Sequence, residues 1–297
     1  MKGIILAAGA GTRLYPASQP ISKILLPIYD KPMIYYPLST LMLAGIRDIL
    51  IITNEADDAN FKKLLGNGEQ FGIRLEYKIQ HVQKGIADAF IIAEDFIAGD
   101  SSALILGDNI FHGHGFSSLM ADAIENNDGA TVFGYSVRDP ERFGVIEFDN
   151  NKKVISLEEK PLKPKSNFAV TGLYFYDRNV CEYAKQLEPS ARGELEITDL
   201  NKIYLSKNKL NVEILGKGFT WLDTGTHDSM LQASNFVQSM ELNKNMKISC
   251  LEEIAYLKGY IKPHDLLNNI EKYGNNAYYS YIKSLIMQDI TSNKQGC

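Results

Sequence analysis

Hydrophobic and polar positions follow two different periods along the first half of this chain. Runs such as Ile4-Ile5-Leu6-Ala7-Ala8, Ile49-Leu50-Ile51-Ile52 and Ala103-Leu104-Ile105-Leu106 are apolar without a break, the pattern of strands buried on both faces. Between them the spacing becomes helical over residues 32–44, 57–65 and 86–96, and Gly45 and Gly66 stand where the first two of these helices should stop. A strand is expected over 73–79, a helix over 116–125 and a strand over 130–137. Strand and helix in alternation predict βαβ units around a mostly parallel sheet, an α/β fold.

From residue 143 to 176 the pattern changes to successive strands, with Asp149-Asn150-Asn151 as a turn and Lys160-Pro161 and Lys163-Pro164 as a loop. An antiparallel element inserted into the parallel sheet accounts for it. Helices return over 178–187 and 195–206, a strand follows over 212–215, and a long helix over 226–242 has Thr226 as its N-cap. Residues 252–259, 263–270 and 277–288 read as a C-terminal helical bundle, and the tail after Ile290 is expected to fray. This divides the chain into a principal unit over 1–245, with the antiparallel part at about 140–220, and a helical extension over 246–297.

With 297 residues, 45% of them hydrophobic, the chain can bury a large core without disulfide or metal staples. A formal charge of −5 argues against nucleic acid as a partner, because a phosphate backbone wants a net basic surface, but leaves room for small anions held at a local basic site. Cys181, Cys250 and Cys297 lie far apart with no Cys-x-x-Cys pair, which fits a reducing cytoplasm better than a disulfide framework or a zinc ribbon. The first residues enter a strand directly, and no apolar run is long enough to span a bilayer, so neither a secretory leader nor a membrane segment is expected.

Candidate chemistry begins where the first strand runs into Gly9-Ala10-Gly11-Thr12-Arg13-Leu14, with Lys23 downstream. Glycines let backbone N–H groups converge on an anion, and the two cations add charge to that nest. Two familiar phosphate loops are excluded by the letters. Leu14 stands where a dinucleotide fingerprint needs its third glycine, and Gly11-Thr12-Arg13 where a P-loop needs Gly-Lys-Ser/Thr. Asp108 lies just past the carboxyl end of a buried strand, the edge where open α/β sheets bind ligands, although capping the next helix is a structural alternative. Asp223, in Trp221-Leu222-Asp223-Thr224-Gly225-Thr226, is either a turn aspartate or a second carboxylate for the same site. Two such aspartates facing a basic loop match the needs of Mg²⁺, which takes one or two carboxylates and completes its shell with phosphate and water. Lys160, in Glu158-Glu159-Lys160-Pro161, is either part of a solvated charge run or a contact to a second phosphate. His112 and His114 have no third metal ligand at suitable spacing, and a turn explains them. Tyr278, Tyr279 and Tyr281 suit core packing or a subunit interface.

A longer set of motifs resembles the sugar-nucleotide pyrophosphorylases. They are Gly9-Ala10-Gly11-Thr12-Arg13-Leu14-Tyr15-Pro16, Ser22-Lys23, Leu26-Pro27, Lys31-Pro32-Met33-Ile34-Tyr35-Tyr36-Pro37-Leu38, Leu41-Met42-Leu43-Ala44-Gly45-Ile46, Gly107-Asp108-Asn109-Ile110-Phe111, Asp139-Pro140-Glu141-Arg142-Phe143-Gly144-Val145, Glu158-Glu159-Lys160-Pro161 and the segment from Trp221 to Thr226. They run in unbroken order over roughly the first 260 residues. The resemblance implies a Rossmann-like nucleotidyltransferase core with an antiparallel sugar-binding insertion and a C-terminal helical segment. It also implies reaction of dTTP with glucose 1-phosphate in the presence of Mg²⁺, as a first step toward deoxysugars such as rhamnose, and a homotetramer. Carried over by motif, Arg13 steadies the departing pyrophosphate, Lys23 the triphosphate and Lys160 the sugar phosphate, while Asp108 and Asp223 hold Mg²⁺. Gln80 and Gly85 read the pyrimidine, and Gly144, Glu159 and Val170 line the sugar pocket. Leu6, Ala8, Gly9, Gly11, Thr12, Gly107 and Trp221 complete the substrate-binding set.

This chain departs from the family in three places. Gln80-His81-Val82-Gln83-Lys84-Gly85-Ile86-Ala87-Asp88-Ala89 replaces a stretch with prolines and Gly-Leu-Ala-Gln-Ala, Ile24 replaces a polar residue, and Leu257 stands where members carry an arginine of a second, regulatory nucleotide site. The first leaves UTP open beside dTTP, and the last argues against feedback regulation. Another sugar 1-phosphate and a non-catalytic nucleotide-sugar sensor are the remaining alternatives.

Overall fold

The computed structural model describes residues 1–149, 153–271, 273, 274 and 276–295, with side chains as far as residue 288. The turn expected at Asn150 and Asn151 lies outside the described residues. In chain order the strands are β1 (Lys2–Leu6), β2 (Pro27–Ile28), β3 (Lys31–Pro32), β4 (Asp48–Thr53), β5 (Arg74–Ile79), β6 (Ser102–Leu106), β7 (Asn109–Gly113), β8 (Ala130–Ser136), β9 (Gly144–Phe148), β10 (Val154–Glu159), β11 (Phe168–Tyr176), β12 (Leu210–Leu215) and β13 (Phe219–Asp223). Strands β5, β4, β1 and β6 are parallel neighbours, β11 joins β6 antiparallel, and β8 and β12 extend the sheet beyond it. The antiparallel pair β9 and β10 attaches to the first half of β11. The expected α/β fold with a mostly parallel sheet and an antiparallel insertion is therefore present.

Apolar runs in the parallel strands are continuous because both faces of the sheet are covered. In register, Ile4, Leu50 and Leu104 point to one face, and Ile5, Ile51 and Ile105 to the other, all fully buried. Burying each such side chain stabilises the fold by about 1.5–3 kcal/mol. The face carrying Ile5 packs on α1 (Tyr35–Leu43), α5 (Phe116–Glu125), α8 (His227–Lys244) and α9 (Leu251–Leu257). The face carrying Ile4 packs on α3 (Asp88–Ile92), α4 (Glu94–Ile97), α6 (Val180–Lys185) and α7 (Ile197–Ser206), while α2 (Asp58–Leu65) lies beside β5 on the first face. Thr226 caps α8 as its sequence predicts, in a capping box where Thr226 and Ser229 bond each other's backbone N–H.

Four expectations are corrected. The helix over 86–96 is two short helices meeting at Ala93, and Leu195 is held out of α7 by backbone bonds to Lys84 and Ala87. The segments after Asp108 and before Asp223 pair as the β7–β13 ribbon, so His112 lies on a strand, its ring edge-on to Phe236. The last helix, α11 (Ala277–Gln295), continues past Ile290 and follows α10 (Pro263–Glu271). Residues of α9 join the main core, whereas α10 and α11 close a small cluster of their own around Leu266, Ile270, Ile282 and Ile286.

Between the main core and that extension lies a charge network whose Lys31 and Glu241 are buried and whose Asp30 reaches solvent. Lys31 Nζ meets Asp30 at 2.5 Å and Glu241 at 3.0 Å, Lys247 pairs with Asp30 and with Glu241 at 2.6 Å, and the Ile248 amide donates to Glu241 at 3.0 Å. Tyr36 and Tyr278 place their rings 5.4 and 6.0 Å from the Lys31 ammonium.

Candidate active site

The β7–β13 ribbon brings two distant aspartates together. Asp223 stands opposite Asn109, one residue from Asp108, and the Thr224 amide and hydroxyl both donate to the Asp108 carbonyl, at 3.0 and 2.8 Å. Asn109 locks the arrangement from below. Its Oδ1 accepts from Trp221 Nε1 at 2.6 Å and from the Gly172 amide at 3.1 Å, and its Nδ2 donates to Asp108 Oδ1 at 3.0 Å. Gly172 is required there, since a Cβ would lie 2.6 Å from Asn109 Oδ1.

Cations surround this pair. Lys23 forms an ion pair with Asp108 Oδ2. Arg13 lies against Gly225, where an added Cβ would be 2.7 Å from the guanidinium and 3.2 Å from Asp223 Oδ1. Arg142 stands 3.9 Å from Asp223 Oδ2, is anchored by Asp139 at 2.6 Å, and covers the Phe143 ring, which in turn meets Trp221 edge-on at 5.1 Å. The two carboxyls are pushed in opposite directions. Burial works to raise Asp108, but the Lys23 charge and the bonds from Lys23 and Asn109 outweigh it and hold Asp108 below the ordinary carboxylate value. Burial and then the Asp108 charge push Asp223 upward, against the pull of Lys23, Arg13 and Arg142.

A divalent cation fits these residues. Two partly buried carboxylates that repel each other present hard oxygen donors side by side, and no group of three metal-ligating side chains is found among the described residues. A cation held here keeps coordination positions for phosphate and water.

Arg13, Asp108, Asp223, Gly144, Glu159 and Lys160 open onto one cavity of about 480 Å³, with Val170 and Trp221 also on its wall. At its far end Thr198 donates to Glu159 at 2.5 Å, and a Cβ on Gly144 would lie 3.1 Å from the Thr198 hydroxyl and 3.8 Å from Val170. Small residues keep that end open. Lys160 takes a left-handed backbone, φ 43°, with its amide on the Phe143 carbonyl at 3.0 Å and its ammonium 3.6 Å from Glu159. Half of that side chain is exposed, so it is available to a ligand.

The glycine-rich loop reaches the cavity wall through Arg13. Gly11 has φ 64° and its carbonyl accepts from Ser18, while Gly9 and Thr12 are open to solvent and Leu14 is buried as a plug. Gly107 donates to the Leu6 carbonyl at 3.0 Å, and a Cβ there would strike Ile24 at 3.1 Å. Ile24 is thus a core residue against that glycine, which explains an apolar side chain at this position. Gln80 and Gly85 do not line the cavity, although Ile86 does; they stand past the end of β5 on a loop tied to Ala8 by Gln83 at 2.9 Å. Reading the residues singly missed Arg142, Asn109 and Thr198. Arg142 and Asn109 sit inside quoted motifs and could have been found; Thr198 carries no signal of its own.

A glycine-rich loop and a carboxylate pair at the carboxyl edge of a parallel sheet, opening toward an antiparallel insertion, define a nucleotide-handling transferase. The chain belongs to the nucleotidyl transferase family, whose model matches residues 2–240. Curated relatives named glucose-1-phosphate thymidylyltransferase include those of Neisseria gonorrhoeae, 57% identical over 96% of this chain and 99% of the relative, and Mycobacterium tuberculosis, 48% identical over the same shares. A crystal structure from Bacillus anthracis, provisionally assigned as that enzyme and bound to a sucrose, is 45% identical with a TM-score of 0.74 over 80% of this chain and 94% of that one. A UDP-glucose pyrophosphorylase bound to UDP-glucose shares the fold, with a TM-score of 0.72 at 24% identity over 80% of this chain and 98% of that one.

Proposed function

We propose that this chain transfers the dTMP moiety of dTTP to α-D-glucose 1-phosphate, giving dTDP-glucose and pyrophosphate. The near full-length identity to thymidylyltransferases carries this reading, and the joined cavity with cations at both ends supports it. A phosphate oxygen of the sugar forms a bond to the α-phosphorus while the bond from that phosphorus to the bridging oxygen breaks, and pyrophosphate leaves with the electron pair. No enzyme nucleophile is needed, so positioning and charge neutralisation do the catalysis.

In this reading Lys23 and the Gly9–Thr12 amides hold the triphosphate, Arg13 meets the charge that develops on pyrophosphate, and Lys160 holds the sugar phosphate. Gly144, Glu159, Val170 and Trp221 border the glucose, with Thr198 orienting Glu159. Gln80 and Gly85 address the base. Asp108 and Asp223 hold Mg²⁺, which when bound neutralises phosphate charge. The assembly is a homotetramer acting in the cytoplasm; exposed Leu231, Leu242 and Leu257 offer apolar contact surface, and Cys181 and Cys250 are free thiols. No helix among the described residues is long and apolar enough to cross a membrane. The test is pyrophosphate release with dTTP or UTP against glucose 1-phosphate and other sugar 1-phosphates. Release with dTTP and glucose 1-phosphate is expected, and no release with any pair overturns the reading.

A further inference from the structure

Resting on that reading for the position of the nucleoside, we infer that Asp88 is a positioning residue that decides which nucleobase is accepted. By turning the Gln80 amide so that Oε1 faces the base, it selects a base with an imino N–H on its pairing edge, such as thymine or uracil, over cytosine. The position of the base follows from the fold. With the triphosphate on the Gly9–Arg13 loop, the carboxylate pair on the β6–β7 side and the sugar cavity beyond it toward β9–β11, the ends of β4 and β5 remain for the nucleoside.

Gln80 stands there, 7% exposed, with its amide N–H on the Thr53 carbonyl at 2.8 Å. Its side-chain Nε2 donates to Asp88 Oδ2 at 2.9 Å, and Asp88, the first residue of α3, is also 7% exposed. A carboxylate accepts hydrogen bonds and cannot donate them, so rotating the Gln80 amide by half a turn would set oxygen against oxygen in a buried site. The orientation is therefore fixed. Gln80 Oε1 makes no hydrogen bond among the described residues, and it is not sealed from water. It is an aligned acceptor without a partner. Thymine and uracil bring N3–H to such an acceptor, whereas N3 of cytosine brings a lone pair.

The loop that carries this device is held in one shape. Leu195 donates to the Lys84 carbonyl at 2.6 Å and accepts from the Ala87 amide at 3.2 Å. Gly85 has φ 100° and lies so close that a Cβ would be 2.5 Å from the Leu195 oxygen.

The experiment measures kcat/KM for dTTP, dUTP and dCTP with wild type, Asp88→Asn and Gln80→Leu. Wild type is expected to use dTTP and dUTP and to disfavour dCTP by at least about 100-fold, since an unpaired buried polar contact discriminates strongly. A carboxamide in place of the Asp88 carboxylate can donate or accept, so D88N should lower the dTTP to dCTP ratio at least about tenfold, mainly through KM for dTTP. A merely structural defect would lower both substrates together and leave the ratio alone. An unchanged ratio in D88N overturns the assignment. If Q80L relaxes the ratio while D88N does not, Asp88 alone is wrong; if neither does, the base is not read at Gln80 and that part of the functional reading falls with it. Wild type with N3-methyl-dTTP tests the donor requirement without any variant, and use of that analogue within a few-fold of dTTP also overturns the inference.

Discussion

The charges around Asp108 and those around Glu241 are both partly withdrawn from water, yet they are arranged on opposite plans. At Glu241 two lysines and two carboxylates alternate, and every carboxylate has two ammonium partners. At Asp108 a lysine satisfies one carboxylate, while Asp223 beside it is raised by burial and by its neighbour's charge. The first cluster is complete and joins the β2–β3 hairpin to the helical extension. The second sets two carboxylates side by side, with Arg142 no nearer than 3.9 Å to Asp223, and a fold keeps such a conflict where a ligand resolves it. Balance separates architecture from chemistry here.

The sharpest way to break this contrast is to remove a carboxylate at each place. Asp108→Asn and Asp223→Asn should each lower kcat/KM by about 100-fold or more, since a preorganised charge at the reacting phosphates is lost. D223N should leave the thermal midpoint equal or higher, because a repulsion is relieved. Near-normal rates at limiting Mg²⁺ would overturn the metal assignment. Glu241→Gln should do the reverse, costing about 3 kcal/mol in urea unfolding by leaving buried lysines undercompensated, with turnover nearly unchanged in the protein that remains folded.

The pH dependence of stability sharpens the same point. Asp223 has a folded pKa raised above its ordinary value of 3.8, so its contribution is fully present below that value and is lost as pH rises through the folded pKa. Wild type should therefore lose ground to D223N as pH rises above 3.8 and through the raised pKa, as measured by unfolding at several pH values, and Mg²⁺ should restore it by binding only the folded state. A gap that is constant with pH would contradict the repulsion. The smallest effect is expected at a surface pair whose lysine is half exposed. Lys62 and Asp58, 2.7 Å apart on successive turns of α2, should be worth at most about 0.5 kcal/mol in a Lys62→Ala variant.

Much of the fold is legible because it is written in local periodicity. Ile49–Ile52 and Ala103–Leu106 read as doubly buried strands, and each lies within one, while the strand read over Ile4–Ala8 ends at Leu6; Thr226 reads as an N-cap, and it is one. What escapes is short and paired far away. Asn109–Gly113 and Phe219–Asp223 have little strand character apart from each other, and each reads as a turn until the partner is in view. Ile24 looks out of place as a replacement for a polar residue, yet it is 1% exposed against Gly107. His112 looks available at a turn, and it is a half-buried ring against Phe236.

By itself the sequence determined the α/β order, the glycine turn after β1 and, through its motifs, the family. Those properties depend on neighbours in the chain, where periodicity, glycine and a cation act within a few residues. Only the tertiary structure decided that Asp223 comes beside Asp108, that Arg142 faces both Asp139 and Asp223, and that Asp88 turns the Gln80 amide. Each of those contacts depends on which strand or helix lies alongside, and the strength of a buried charge or hydrogen bond depends on what surrounds it, which no local pattern of residues encodes.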